Sequence, residues 1–193
     1  MRPASLERGI GPVPKMLFRF VRMVTGRPVP DAAKITFYRP DFYGAAMKKF
    51  THEAMRGDSA WSVAERELMA AYISEVNRAP FCVGAHTATA AQAFGDPDKV
   101  AAALADPASA DIPVGLAATL VLLGTLARSG RVDAAHVRAV LATGVTAQQI
   151  EDALAVAFAF NVTDRLANAF DFEQLTPEGF ASGAKYLLKR GYR

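Results

Sequence analysis

Residues 67–86, E-L-M-A-A-Y-I-S-E-V-N-R-A-P-F-C-V-G-A-H, hold the side chains best suited to chemistry in this sequence. Cys82 and His86 stand four apart, which places them on one helix face a single turn from each other. Pro80 suits the first turn of that helix, so Cys82 lies near its N-terminus, where unpaired N–H groups favour a thiolate. An imidazole one turn away can take the thiol proton. Burial among the alanines that follow acts in the opposite sense and raises a thiol pKa. The sequence leaves these two effects unresolved.

Glu67 is the third group. Its face-mates on a helix are Val63, Ala64, Ala71 and Ser74, and a carboxylate among such small residues is costly unless it is paired. Glu65 and Glu75 fall on other faces and read as a helix cap and a solvated charge. A joint of two or three residues connects the two helices concerned, which predicts an antiparallel hairpin with Glu67 approaching His86 across it. His52 and His136 lack such company and read as structural or exposed. Glu67, Cys82 and His86 are of metal-ligand type, but no fourth ligand is apparent. Neither a metal nor a cofactor is expected.

The elements that must position these groups are helices. Ser62/Glu65 and Thr146/Gln149 have the spacing of capping boxes. Asp96-Pro97 and Thr176-Pro177 place a cap before a first-turn proline, while Gly57, Gly95, Gly130 and Gly144 stand where helices should stop. Apolar residues between these marks follow a 3.6-residue period, and no run alternates as a strand would. The pattern predicts helices at 14–24, 41–56, 62–77, 80–94, 97–105, 113–129, 133–143, 147–160, 162–171 and 177–190, an all-α chain. Heavy alanine use from Ala85 to Ala118 predicts tight helix packing rather than a wide cavity.

An 84-residue shift superposes one capping box on the other, and also Glu67 on Glu151, Asn77 on Asn161 and His52 on His136. The second copy carries Leu166 for Cys82 and Phe170 for His86. Two related halves are therefore expected, with the polar chemistry kept in the first. The chain divides into an N-terminal arm and lead-in (1–58), a motif-bearing half (59–95), a degenerate second half (112–172) and a C-terminal helix (173–193).

At 193 residues, 51% hydrophobic and 21% charged, the chain is long and apolar enough to fold without disulfides. A net charge of +3 is too small to point to nucleic acid. The single cysteine predicts a reducing, cytoplasmic setting. The run from Ile112 to Ala127 is too short to span a bilayer and reads as a central core helix or an oligomer contact. Charge is concentrated at the start, where Arg2, Arg8, Lys15, Arg19, Arg22 and Arg27 face only Glu7, a net +5 that leaves −2 for the rest. Met16, Leu17, Phe20, Met23 and Val24 form a stripe on this segment. It reads as an arm packed on its own domain or a neighbouring subunit, with a membrane-surface helix as the other reading.

The same residues resemble the alkylhydroperoxidase D-like and carboxymuconolactone decarboxylase superfamily, especially its peroxidase-related members. Glu67, Cys82 and His86 match three places of the family motif, and N-R-A-P-F-C-V-G-A-H is similar to its N-R-C-x-Y-C-x-x-x-H run. Phe160 to Phe170 resembles the helix of the family's second repeat. The resemblance covers about 60–172. It implies an all-helical fold of two related halves, assembled as a homotrimer or as a hexamer built from two trimers. It also implies hydroperoxide reduction with Cys82 as redox thiol, His86 as proton partner and Glu67 as relay acid. Ala79 replaces the first motif cysteine, so the dithiol–disulfide cycle is excluded and turnover needs an external thiol. The other readings are a decarboxylase or isomerase of a small lactone or carboxylic acid using Glu67 and His86, and an inactive helical oligomer with a docking arm.

Overall fold

The computed structural model describes residues 8–38 and 44–192, and no strand occurs among them. Ten α-helices begin and end within these residues. They are α1 (Pro12–Thr25), α2 (Asp31–Lys34), α3 (Ala45–Arg56), α4 (Val63–Val76), α5 (Pro80–Phe94), α6 (Pro97–Ala105), α7 (Val114–Ser129), α8 (Ala134–Leu141), α9 (Ala147–Ala169) and α10 (Pro177–Arg190). Arg2, Glu7 and the start of the helix expected at 41–56 lie outside the described residues.

The caps form as their residue types dictate. Ser62 accepts from the Glu65 N–H while the Glu65 carboxylate accepts from the Ser62 N–H, and Thr146 and Gln149 repeat the arrangement at α9. Asp96 and Thr176 cap α6 and α10 ahead of first-turn prolines. Among the expected structural histidines, His136 belongs to the start of α8, its Nδ1 2.6 Å from Asp133.

Two expectations are corrected. The helices expected at 147–160 and 162–171 are one, because no proline or glycine interrupts α9 and Asn161 stays helical. Under the 84-residue shift, Pro80 of the first half corresponds to Asp164, so the first half breaks where the second runs on. Residues 31–37, left without structure by the periodicity, form α2 and a 3₁₀ turn (Ile35–Phe37), too short for a helical period to register. The central helix is α4, with every residue from Arg66 to Ser74 buried. The more apolar α7 buries one face and leaves Val114 and Val121 exposed.

Helix α4 packs most extensively on α5 and also on α7 and α9, and α5 takes α10 on its other side. The main core joins Met55, Trp61, Leu68, Ile73, Leu120 and Phe160. A second cluster gathers Ile10, Ile35, Ala79, Phe81, Cys82 and Phe172, and the arm rests on it through Phe18, stacked edge-on against Phe37 at 5.3 Å. Small residues permit the closest approach between helices. A Cβ on Gly84 of α5 would lie 2.6 Å from the Phe180 ring of α10. Asn77 donates to Asn161 at 3.1 Å, a contact between two residues that the 84-residue shift superposes.

Candidate active site

Glu67 sits mid-way along α4, fully buried. Its carboxylate is satisfied from three directions. Arg56, in the last turn of α3, donates to Oε1 at 2.6 Å. His86 Nδ1 lies 2.7 Å from Oε2 across the α4–α5 hairpin. The Tyr192 hydroxyl donates to both oxygens, at 3.0 and 3.2 Å. Burial pushes the Glu67 carboxyl up, but the bond and charge of His86 and then of Arg56 outweigh it, and the group ends below the usual carboxylate range. An ionised carboxylate can only accept, so Nδ1 of His86 carries the hydrogen that faces Glu67, which leaves Nε2 as the nitrogen able to exchange a proton. The ring is further held edge-on against Phe160, with centroids 4.4 Å apart.

Cys82 lies one turn before His86, 2% exposed. Its thiol faces a carboxylate that the sequence did not single out. Asp164 of α9 accepts from the Ser74 hydroxyl at 2.8 Å and from Asn77 Nδ2 at 2.9 Å, and the Cys82 thiol is a further donor to it. Burial pushes the thiol well above its ordinary range, and the charge and hydrogen bond of Asp164 add to this. The competition at the start of α5 is thus decided against the thiolate. Asp164 is itself raised by burial, with its three donors acting in the opposite sense. Ala79, just before α5, is fully buried.

The carboxyl end of the chain closes the other side of the site. Gly191 takes φ +65° and ψ −151°, a region that suits glycine alone, and a Cβ there would lie 2.8 Å from the His52 ring. This turn brings Tyr192 back over α3. Its N–H donates to His52 Nδ1 at 3.3 Å, and its ring lies under the Arg56 guanidinium at 5.1 Å and beside the His86 ring. Burial first, and then the Glu67 charge, push the phenol well above its ordinary range, so it remains a neutral donor.

Of the residues singled out in the sequence, Glu67 and His86 meet as expected, while Cys82 pairs with Asp164. Arg56, Asp164 and Tyr192 were missed. Asp164 falls opposite Pro80 in the repeat, so the internal comparison offered nothing to flag it. Among the described residues no three His, Cys, Asp or Glu side chains are grouped to hold a metal ion. None of their helices is long and apolar enough to cross a membrane. A shallow depression of about 320 Å³ beside Trp61, Val114 and Val145 shares no lining residue with Glu67, Cys82 or His86.

Residues 40–121 match the carboxymuconolactone decarboxylase family. The chain is similar in structure to an uncharacterised peroxidase-related protein from Silicibacter sp. TM1040, at 23% identity and a TM-score of 0.74, covering 89% of this chain and 88% of that one. It is equally similar to an alkylhydroperoxidase core structure, an uncharacterised peroxidase-related protein from Ralstonia eutropha JMP134, at 23% identity and a TM-score of 0.74, covering 93% of each. At such identities the likeness establishes the all-helical fold. No curated protein matches the chain.

Proposed function

We propose that the chain is a member of the carboxymuconolactone decarboxylase and alkylhydroperoxidase D-like superfamily, whose family model its residues 40–121 match, and that it is a one-cysteine hydroperoxide reductase using an external thiol. The observation that carries the reading is the buried Glu67–His86 pair at 2.7 Å with the chain's single cysteine one turn before the histidine. The sulfur of Cys82, as it gives up its proton, attacks the terminal peroxide oxygen and the O–O bond breaks. Cys82 becomes a sulfenic acid, and the departing alkoxide or hydroxide takes up a proton and leaves as an alcohol or water. His86 Nε2 receives the thiol proton and returns it to the departing oxygen, while Glu67 stabilises the imidazolium in between. One external thiol then forms a mixed disulfide with release of water, and a second frees Cys82 as the external disulfide leaves.

The raised thiol pKa makes this a slow peroxidase at neutral pH, because the thiolate fraction is small. Close packing around the site favours hydrogen peroxide and small alkyl hydroperoxides. We assign the reaction to the reducing cytoplasm, where external thiol is abundant, and to a homo-oligomer, since a row of apolar side chains on α1 stands exposed. The test is Cys82→Ser. Hydroperoxide consumption with a dithiol present should fall to background while the helical circular dichroism is kept. Wild-type turnover in that variant would overturn the reading.

The buried, protonated state of Cys82 also favours a second reading, in which Glu67 and His86 perform acid–base chemistry on a small lactone or carboxylic acid. Turnover of such a substrate that survives Cys82→Ser and is lost in Glu67→Gln would establish it. Loss of assembly or partner binding on removal of residues 1–30, with no substrate turned over at all, would instead favour an inactive oligomer with α1 as docking arm.

A further inference from the structure

We infer that Tyr192 is a positioning residue of the Glu67–His86 proton pair, delivered to the site by a glycine turn at the carboxyl end of the chain. The inference rests on reading that pair as the site's proton-handling centre, and not on which substrate it serves. Its hydroxyl lies 3.0 and 3.2 Å from the two Glu67 oxygens and 3.4 Å from His86 Nδ1, within reach of both members of the pair. Four features away from the hydroxyl fix it there. Gly191 supplies a backbone conformation that other residues resist, and His52 takes up the Tyr192 N–H at 3.3 Å. Arg56 covers one side of the ring at 5.1 Å, and the His86 ring stacks beside it at 6.3 Å with an interplanar angle of 19°.

This arrangement does specific work. A carboxylate has about four lone-pair sites, and an unfilled one in a buried site costs free energy. Arg56 and His86 reach one oxygen each, and Tyr192 bridges the two. With its own proton held tightly, the phenol cannot act as an acid at working pH, so its part is to keep Glu67 ionised and facing His86. That in turn keeps the hydrogen on Nδ1 and leaves Nε2 as the base. The charged and titratable groups around Glu67 are Arg56 on α3, Arg66 on α4, His86 on α5 and Tyr192 itself. Of these, Tyr192 can lose its donor to phenylalanine with the formal charge and the ring both kept.

Tyr192→Phe is therefore the test, because it keeps the ring, the stacking and the Arg56 contact and removes the hydroxyl alone. The Glu67 carboxyl titration, followed by NMR in protein carrying carbon-13 glutamate, should move up by about one pH unit or more, the worth of one hydrogen bond to a charged group. The acid limb of hydroperoxide consumption should move with it, and kcat should fall about tenfold with KM little changed. In wild-type protein, tyrosinate absorbance should show one of the five tyrosines resisting ionisation, and that one should be missing in the variant. A carboxyl titration and acid limb that superimpose on wild type would overturn the inference. Should wild-type protein consume no hydroperoxide, the reductase reading falls, and the carboxyl titration still decides the role of Tyr192.

Discussion

Cys82 stands between two opposed influences, and naming the residue responsible for each makes them separable. The helix start draws its thiol toward ionisation, whereas burial and the Asp164 carboxylate hold the proton on. Because the folded-state pKa is raised, the thiolate fraction at neutral pH is small and grows about tenfold per pH unit until that pKa is reached. Asp164→Asn removes the charge and keeps the shape, so it should lower the thiol pKa and raise the rate of iodoacetamide alkylation at about pH 8 by roughly tenfold. The same variant should lose about 1–3 kcal/mol of stability, since an amide cannot accept as Asp164 does from Ser74, Asn77 and Cys82 together. An unchanged alkylation rate would mean that burial alone protects the thiol. The peroxidase reading gains from this variant as well, because a more acidic Cys82 should react faster with hydrogen peroxide.

Helices decide which of these residues can meet. The α4–α5 hairpin brings Glu67 to His86 through local sequence alone, and this much was legible because caps, proline and period all lie within twenty residues. Arg56, Asp164 and Tyr192 come from other elements, Tyr192 from 125 positions away, and a helical period carries no information about which distant element covers which face. Asp164 was hidden further by the expected break at Asn161, which placed it in a separate short helix. The packing of α10 on α5 is what carries the end of the chain to the site, and Gly84 sets that approach. Gly84→Ala gains about 1 kcal/mol of helix propensity but puts a methyl 2.6 Å from the Phe180 ring, and overpacking costs roughly 1–3 kcal/mol. We expect a net loss of about 1 kcal/mol in urea unfolding, accompanied by weaker Tyr192 contacts. Combining it with Phe180→Leu should restore part of that loss, and a double variant no better than the single would place the strain elsewhere.

For the molecule as a whole, α1 is the feature least accounted for by the chain's own packing. Its Phe18 faces the body of the protein, while Met16, Phe20, Met23 and Val24 are each more than half exposed. Lys15, Arg19 and Arg22 give this helix a charge of +3, whereas residues 31–193 sum to −2. Two copies of α1 would repel each other, so the helix is better matched to the body of a neighbouring molecule than to its counterpart there. Such a head-to-tail contact is heterologous, and it closes into a ring when the rotation permits, which accords with the proposed homo-oligomer. Phe20→Asp with Met23→Asp should then reduce the mass seen by light scattering to that of one chain, with the Glu67–His86 site left intact. Raising salt should weaken the wild-type assembly as the attraction between charges is screened. A symmetric apolar contact between two α1 helices predicts the reverse salt trend, and an unaltered mass in the double variant would remove α1 from the interface.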